Sequence, residues 1–181
     1  NIKKNTFIET LHLKYDKKSI KAFIEYHNNN GGISRFNKFK FFFDKILKIK
    51  NYKTKYIECI NSFSKILRKK LEKCEIDKSL IKLIENNNIK KFFVISAAEQ
   101  KELREIFKKN KLDKYFYEIY GSPSNKSVNL KKILRNKKIK KPFLYLGDSK
   151  EDYLFSKKNK IDFIFVYHWT NLVNWKKFCL D

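Results

Sequence analysis

The spacing of apolar positions divides the chain into two kinds of sequence. From about Ile20 to Leu83 the apolar residues recur at helical intervals. Ile20, Phe23, Ile24 and His27 fall at i, i+3, i+4 and i+7, one face of an α-helix. Asn28-Asn29-Asn30-Gly31-Gly32 breaks that helix, and Ser34 is a favourable N-cap for the next, which carries Phe39, Phe42, Phe43 and Ile46. Tyr56, Ile57, Ile60, Phe63, Ile66, Leu67 and Leu71 mark a third helix, and Asp77 is placed to cap a fourth with Leu80, Ile81 and Ile84. After Asn86-Asn87-Asn88 the pattern changes. Short apolar runs at about 92–96, 116–120, 143–146 and 162–166 alternate with helix-compatible stretches near 99–109, 125–136 and 150–158. Strands alternating with helices predict βαβ units and a parallel sheet. No internal repeat and no long linker interrupts either half.

The polar residues that end these runs carry chemistry. Phe143-Leu144-Tyr145-Leu146 stops at Gly147, and Asp148 and Asp152 follow four residues apart. Ligands of open α/β sheets sit beyond the carboxyl ends of the strands. Asp148 is therefore a candidate to hold a cation such as Mg2+, which one or two carboxylates and a substrate phosphate commonly bind. The competing structural reading is a tight Gly147-Asp148 turn with an N-cap. Upstream, the run starting at Lys90 ends on the hydroxyl of Ser96. The run Phe116-Tyr117-Glu118-Ile119-Tyr120 leads through Gly121-Ser122-Pro123-Ser124-Asn125 to Lys126. Hydroxyl, ammonium and carboxylate pair, each after an apolar strand, are the groups that a phosphate monoester needs: a donor, a fixed positive charge and a metal site.

Those residues resemble the haloacid dehalogenase (HAD) superfamily, in the branch similar to phosphoglycolate phosphatase with a helical cap. Ser96 matches that family's second motif, Lys126 the third, and Gly147-Asp148-Ser149-Lys150-Glu151-Asp152 the fourth; His27-Asn28-Asn29-Asn30-Gly31-Gly32-Ile33-Ser34-Arg35-Phe36 looks like cap sequence. The resemblance implies a Rossmann-like parallel sheet flanked by helices, with an inserted all-helical cap over 8–84 and the α/β core formed by 1–7 and 85–181. It also implies a Mg2+-dependent phosphatase acting on a small phosphorylated metabolite, of sugar phosphate or phosphoglycolate type, through an aspartyl-phosphate. Ser96 would donate to the phosphoryl group and Lys126 would hold its charge. Asp148 would bind Mg2+, while Asp152 either joins the metal shell through water or orients Lys126. Ser149 and Lys150 are motif neighbours that suit a helix cap.

The family's first motif, an Asp-x-Asp that supplies the nucleophile and the general acid and base, is not in this sequence. The first residues, Asn1-Ile2-Lys3-Lys4-Asn5-Thr6-Phe7, resemble the stretch that follows it. Asp16 is the first aspartate, and it lies in the polar turn Lys14-Tyr15-Asp16-Lys17-Lys18 with no strand before it. The expectation is a truncated first core strand, with the nucleophile upstream. The alternative is a catalytically inactive HAD-like domain that binds a ligand or a protein.

Composition narrows the remaining classes. The 181 residues suit one domain with a modest insertion, and 17 Phe with 10 Tyr supply a packed core. No stretch of 18 apolar residues predicts a membrane span, and no signal-like apolar segment is visible. Cys59, Cys74 and Cys179 have neither metal spacing nor an even count, which fits packed or idle thiols in a reducing cytoplasm. The net charge of +24 invites a nucleic-acid reading. Yet the cations are overwhelmingly lysine, with Arg35, Arg68, Arg104 and Arg135 the arginines, and they are spread along the chain. Bidentate phosphate and base recognition favours arginine on one face, so nucleic acid is not the expected partner. Arg35 has two readings, an anion grip at the site mouth or an exposed helix-start residue. His27 reads as a packed histidine or a ligand, and His12 and His168 stand alone.

Overall fold

The computed structural model describes residues 2–86 and 91–180. Asn1, Asn87, Asn88 and Lys90, which enter the sequence patterns above, lie outside the described residues. Helices α1 (Ile2–Leu11), α2 (Lys17–Asn29), α3 (Arg35–Phe41), α4 (Lys53–Leu71) and α5 (Lys78–Asn86) come first. Then β1 (Phe93–Glu99), α6 (Gln100–Lys109), β2 (Glu118–Ser122), α7 (Lys126–Leu134), β3 (Leu144–Gly147), α8 (Lys150–Asn159) and β4 (Asp162–Phe165) alternate, and α9 (Trp175–Leu180) follows.

The helical layer closes around aromatic side chains. Phe7, Leu11, Phe23, Phe39, Phe42, Phe43, Cys59, Phe63 and Leu67 form one buried cluster. Phe7 meets Phe63 at 4.4 Å between centroids and Phe23 edge-on at 5.1 Å. Each such ring contributes about 1.5–3 kcal/mol when fully buried. Asp16 and Ser34 cap α2 and α3 by accepting from the backbone N–H of Ser19 and Asn37. Asp16 is thus a helix cap.

Two details depart from the sequence pattern. The helix carrying Phe39, Phe42, Phe43 and Ile46 is α-helical only to Phe41 and continues as a π turn, Phe42–Ile46. The wider turn lets the adjacent Phe42 and Phe43 both reach the core. The first residues, grouped by resemblance with the α/β core, form the continuous helix α1. Its Phe7 packs in the helical cluster, and its Thr6 and Thr10 hydroxyls donate back to the carbonyls of Ile2 and Thr6.

The α/β half is a Rossmann-like arrangement of parallel strands and flanking helices. β1 pairs with β2, and β3 pairs with β4, both in parallel. Helices α6 and α7 pack on the first pair and α8 on the second. Among the described residues, β1 and β3 make no ladder with each other, so the strands form two separate two-stranded sheets. The Tyr145 hydroxyl reaches from β3 to the Ile95 carbonyl of β1 at 3.2 Å. A short apolar run bounded by a glycine, as at 143–146, suits a buried parallel strand. Instead Leu144 and Leu146 are half exposed, and Tyr145 faces Phe155 of α8. A two-stranded pair with a helix packed against it buries only its alternate residues.

Candidate functional site

Ser96, Lys126, Asp148 and Asp152 border one cavity of about 260 Å3 between the strand ends and the helical layer. Ser96 comes from within β1, which runs three residues beyond it, Lys126 follows β2, and Asp148 and Asp152 both follow β3. Ser96 sits where β1 loses its register with β2, between Ile95 and Glu99, and its Oγ accepts from the Ala98 N–H at 3.1 Å. Lys126 opens α7, whose N-cap is Asn125. Asp148 follows β3 directly and precedes α8.

Asp152 is the most heavily bonded of the four. Its Oδ1 accepts from the Lys126 ammonium and lies 3.0 Å from the Tyr145 hydroxyl; its Oδ2 accepts from Ser149 Oγ at 2.6 Å and Ser149 N at 3.2 Å. Ser149 and Asp152 make a reciprocal capping box, so Ser149, not Asp148, is the N-cap of α8. Burial alone would raise the Asp152 pKa, but Lys126, Ser149 and Tyr145 outweigh it and hold the carboxyl below its ordinary value. The structure brings Asp152 and Lys126 together as an ion pair. At Gly147 a Cβ would stand 2.4 Å from Asp152 Cβ, so glycine lets the strand end press against that carboxylate.

Asp148 is different. Burial and the charge of Asp152 push its pKa up, against the opposing charges of Lys3 and Lys126. A half-buried carboxylate facing a second carboxylate fits a divalent cation held by one protein oxygen, waters and a phosphate oxygen. Among the described residues no group of three or more His, Cys, Asp or Glu side chains is arranged to hold a metal by itself. Asp148 therefore fits Mg2+ as one ligand of a shared shell.

The loop of the helical layer covers the site. Gly32 has φ +80°, and a Cβ there would lie 2.9 Å from Ser149 Oγ and 3.3 Å from the Lys126 ammonium. Both the backbone conformation and the close approach require glycine. Arg35, three residues on, differs from both sequence readings. It is buried, donates to Glu102 and lies 3.8 Å from Glu99, and its guanidinium sits over the rings of Phe36 and Phe63. Its charge is answered by the Glu99 and Glu102 carboxylates, while its Nε is buried without a hydrogen-bond partner and the residue borders the cavity.

Two cavity residues carry signals that the sequence reading did not use. Tyr145 faces the site as the polar-tipped aromatic among the leucines of β3. Lys38 belongs to the stripe Arg35, Lys38, Phe39 and Phe42, spaced i, i+3, i+4 and i+7, and all four are buried. A lysine at a core position of an amphipathic helix is the clue. Its ammonium lies 2.7 Å from His27 Nδ1 and donates to the His27 carbonyl at 3.3 Å. His27 is packed edge-on against Phe7 at 4.9 Å, as its helical position suggested.

Comparison with known proteins places this geometry. A family model described as haloacid dehalogenase-like hydrolase matches residues 2–166. No curated protein sequence matches the chain. A haloacid dehalogenase-like family hydrolase from Streptococcus pneumoniae has a similar structure, with TM-score 0.66, 16% identity, and coverage of 97% of this chain and 80% of its own. A candidate phosphatase from Clostridium difficile is similar at TM-score 0.62 and 18% identity, with coverage of 93% and 80%. At these identities the likeness establishes the fold.

Proposed function

We propose that this chain, which belongs to the haloacid dehalogenase-like hydrolase family, is a Mg2+-dependent phosphatase of a small phosphomonoester. The observation that carries this reading is the Lys126–Asp152 ion pair, set beside Asp148 and Ser96 in one cavity roofed by Gly31 and Gly32. A phosphoryl group in that cavity meets a positive charge whose position is fixed by Asp152, Tyr145 and Ser149. Preorganised charge of this kind stabilises a transition state without reorganisation during the reaction. The Ser96 hydroxyl can donate to a phosphoryl oxygen while its own oxygen accepts from Ala98. Asp148 is the proposed Mg2+ ligand, and the cation would neutralise phosphoryl charge.

The reaction proposed is in-line attack by an aspartate, with the P–O ester bond breaking and the alcohol leaving, followed by hydrolysis of the aspartyl-phosphate. Asp148 and Asp152 already have roles, and neither is assigned the nucleophile.

The test is phosphate release by the natural protein from a panel of small phosphomonoesters with Mg2+ and with EDTA. Release that needs Mg2+ and is abolished in Asp148→Asn is the expected result. Unchanged turnover in Asp148→Asn would sink the metal assignment. Binding of the esters without release would favour the inactive binding domain.

A further inference from the structure

We infer that Arg35 is a positioning residue of the cavity: clamped to Glu99 and Glu102, it holds the strap 32–35 down on Lys126 and Ser149. The inference rests on the phosphatase reading for what Lys126 does. It adds a residue that acts through Lys126 and not on the substrate.

The helical layer meets the α/β half at two contacts that lie three residues apart in sequence. At one, Gly31 and Gly32 press on the start of α8. A Cβ on Gly31 would stand 3.0 Å from Ser149 Cβ, and one on Gly32 would stand 2.9 Å from Ser149 Oγ and 3.3 Å from the Lys126 ammonium. At the other, Arg35 donates to Glu102 and lies 3.8 Å from Glu99. Three residue steps span at most about 10 Å, so whatever fixes Arg35 limits how far Gly32 can lift. Glu99 is the last residue of β1, three beyond Ser96, and caps α6 by accepting from the N–H groups of Lys101 and Glu102 at 3.2 and 3.1 Å. The clamp therefore ties the strap over Lys126 to the strand that carries Ser96.

The clamp leaves groups unanswered. Arg35 Nε and Glu102 Oε1 are both buried without a partner. A buried ion pair adds little stability over apolar residues of the same shape, and its best-attested use is to fix register. From the helical side, the Arg35 guanidinium is held 5.3 Å and 5.6 Å from the ring centroids of Phe36 and Phe63. Under the strap, the Lys126 side chain is only 15% exposed. An ammonium kept from water attracts a phosphoryl group more strongly. Asp152 fixes where that ammonium sits, and the strap keeps water from it.

The test is made on the natural protein with Glu102→Met. Glu102 is not among the residues lining the cavity, so a change at the phosphoryl site reaches it through Arg35. Reductive methylation of lysines, mapped by peptide mass spectrometry, reads the exposure of Lys126. Alkylation of the buried Cys59 reads general loosening. Inorganic phosphate, titrated by calorimetry, reads the attraction for a phosphoryl group. In the variant Lys126 should be methylated roughly 10-fold faster while Cys59 stays protected, and phosphate should bind roughly 10-fold more weakly, as the loss of a charged hydrogen bond implies. Unchanged methylation of Lys126, or a rise matched at Cys59, overturns the positioning role. Phosphate that binds wild type and binds the variant as tightly or more tightly overturns it as well, because an Arg35 released from Glu102 to grip an anion acts in that direction. Should Glu102→Met not fold by circular dichroism, Glu102→Gln is read in the same way. If wild type binds no phosphate and releases none from esters with Mg2+, the methylation change alone keeps the clamp and rejects the phosphatase reading. Release by wild type with no methylation change in the variant does the reverse.

Discussion

Asp148 and Asp152 lie four positions apart on one motif, yet their environments push them in opposite directions. Burial dominates at Asp148. At Asp152 the same burial is outweighed by Lys126, Ser149 and Tyr145. The contrast makes a prediction about which bonds matter. Asp152→Ala strands a largely buried Lys126 ammonium and removes half of the α8 capping box, so it should cost about 3–5 kcal/mol in urea unfolding. Tyr145→Phe removes one donor from a carboxylate that keeps two other partners, and should cost about 1 kcal/mol. Equal losses in the two variants would mean that Lys126 does not depend on Asp152. The identity of the motif residues was legible in the sequence. Their division of labour was not, because Tyr145 and Ser149 become partners of Asp152 only when β3 and α8 fold back on each other.

At the scale of elements, α6 ties the two halves together. Glu99, Glu102, Glu105 and Lys109 are spaced along one side of α6 and its cap. They meet Arg35 of α3, Arg68 of α4, and Glu72, which follows α4. These contacts differ in burial. Arg35 and Glu102 side chains are 7% and 6% exposed, whereas Arg68 and Glu105 are 53% and 44% exposed. A surface pair contributes about 0–1 kcal/mol, while breaking a buried pair leaves a charge without an answer. Glu102→Gln should therefore destabilise by roughly 3–5 kcal/mol and Glu105→Gln by less than about 1, measured by chemical unfolding. A comparable loss in both would show that burial does not set the strength of this junction. The periodicity of α6 was readable, but its partners sit 30 to 70 residues earlier, beyond the reach of any local pattern.

The whole molecule couples its stability to pH through the pair on the cavity wall. His27 is lowered to about 3 by burial, then by Lys38, Lys3 and Lys4 on neighbouring helices. The unfolded chain binds a proton near pH 6.5 that the folded one refuses, so this group removes stability as pH falls from about 6.5 towards 3. Lys38 is lowered to about 7 by burial and then by Lys3. Between about 7 and the ordinary lysine value of 10.5 the unfolded chain holds the extra proton, so this group makes stability rise with pH over that window. Lys38→Met should be more stable than wild type near pH 7 and lack most of the rise between pH 7 and 9.5, read as Tm against pH. A wild-type Tm that does not rise there would contradict the burial of that ammonium.

The sequence by itself determined the order of the helices and strands from α2 to β4, the change of period near residue 86, the N-cap at Ser34, and the positions of Lys126 and Asp148 after their strands. All of these follow from spacing and from residue types that act on near neighbours. Only the tertiary structure decided the separation of β1–β2 from β3–β4, the engagement of Arg35 by α6, the ion pair between Lys126 and Asp152, and the meeting of Lys38 with His27. Those outcomes depend on which distant groups share a buried space, where a charge or a donor must find its answer among whatever the fold brings within reach.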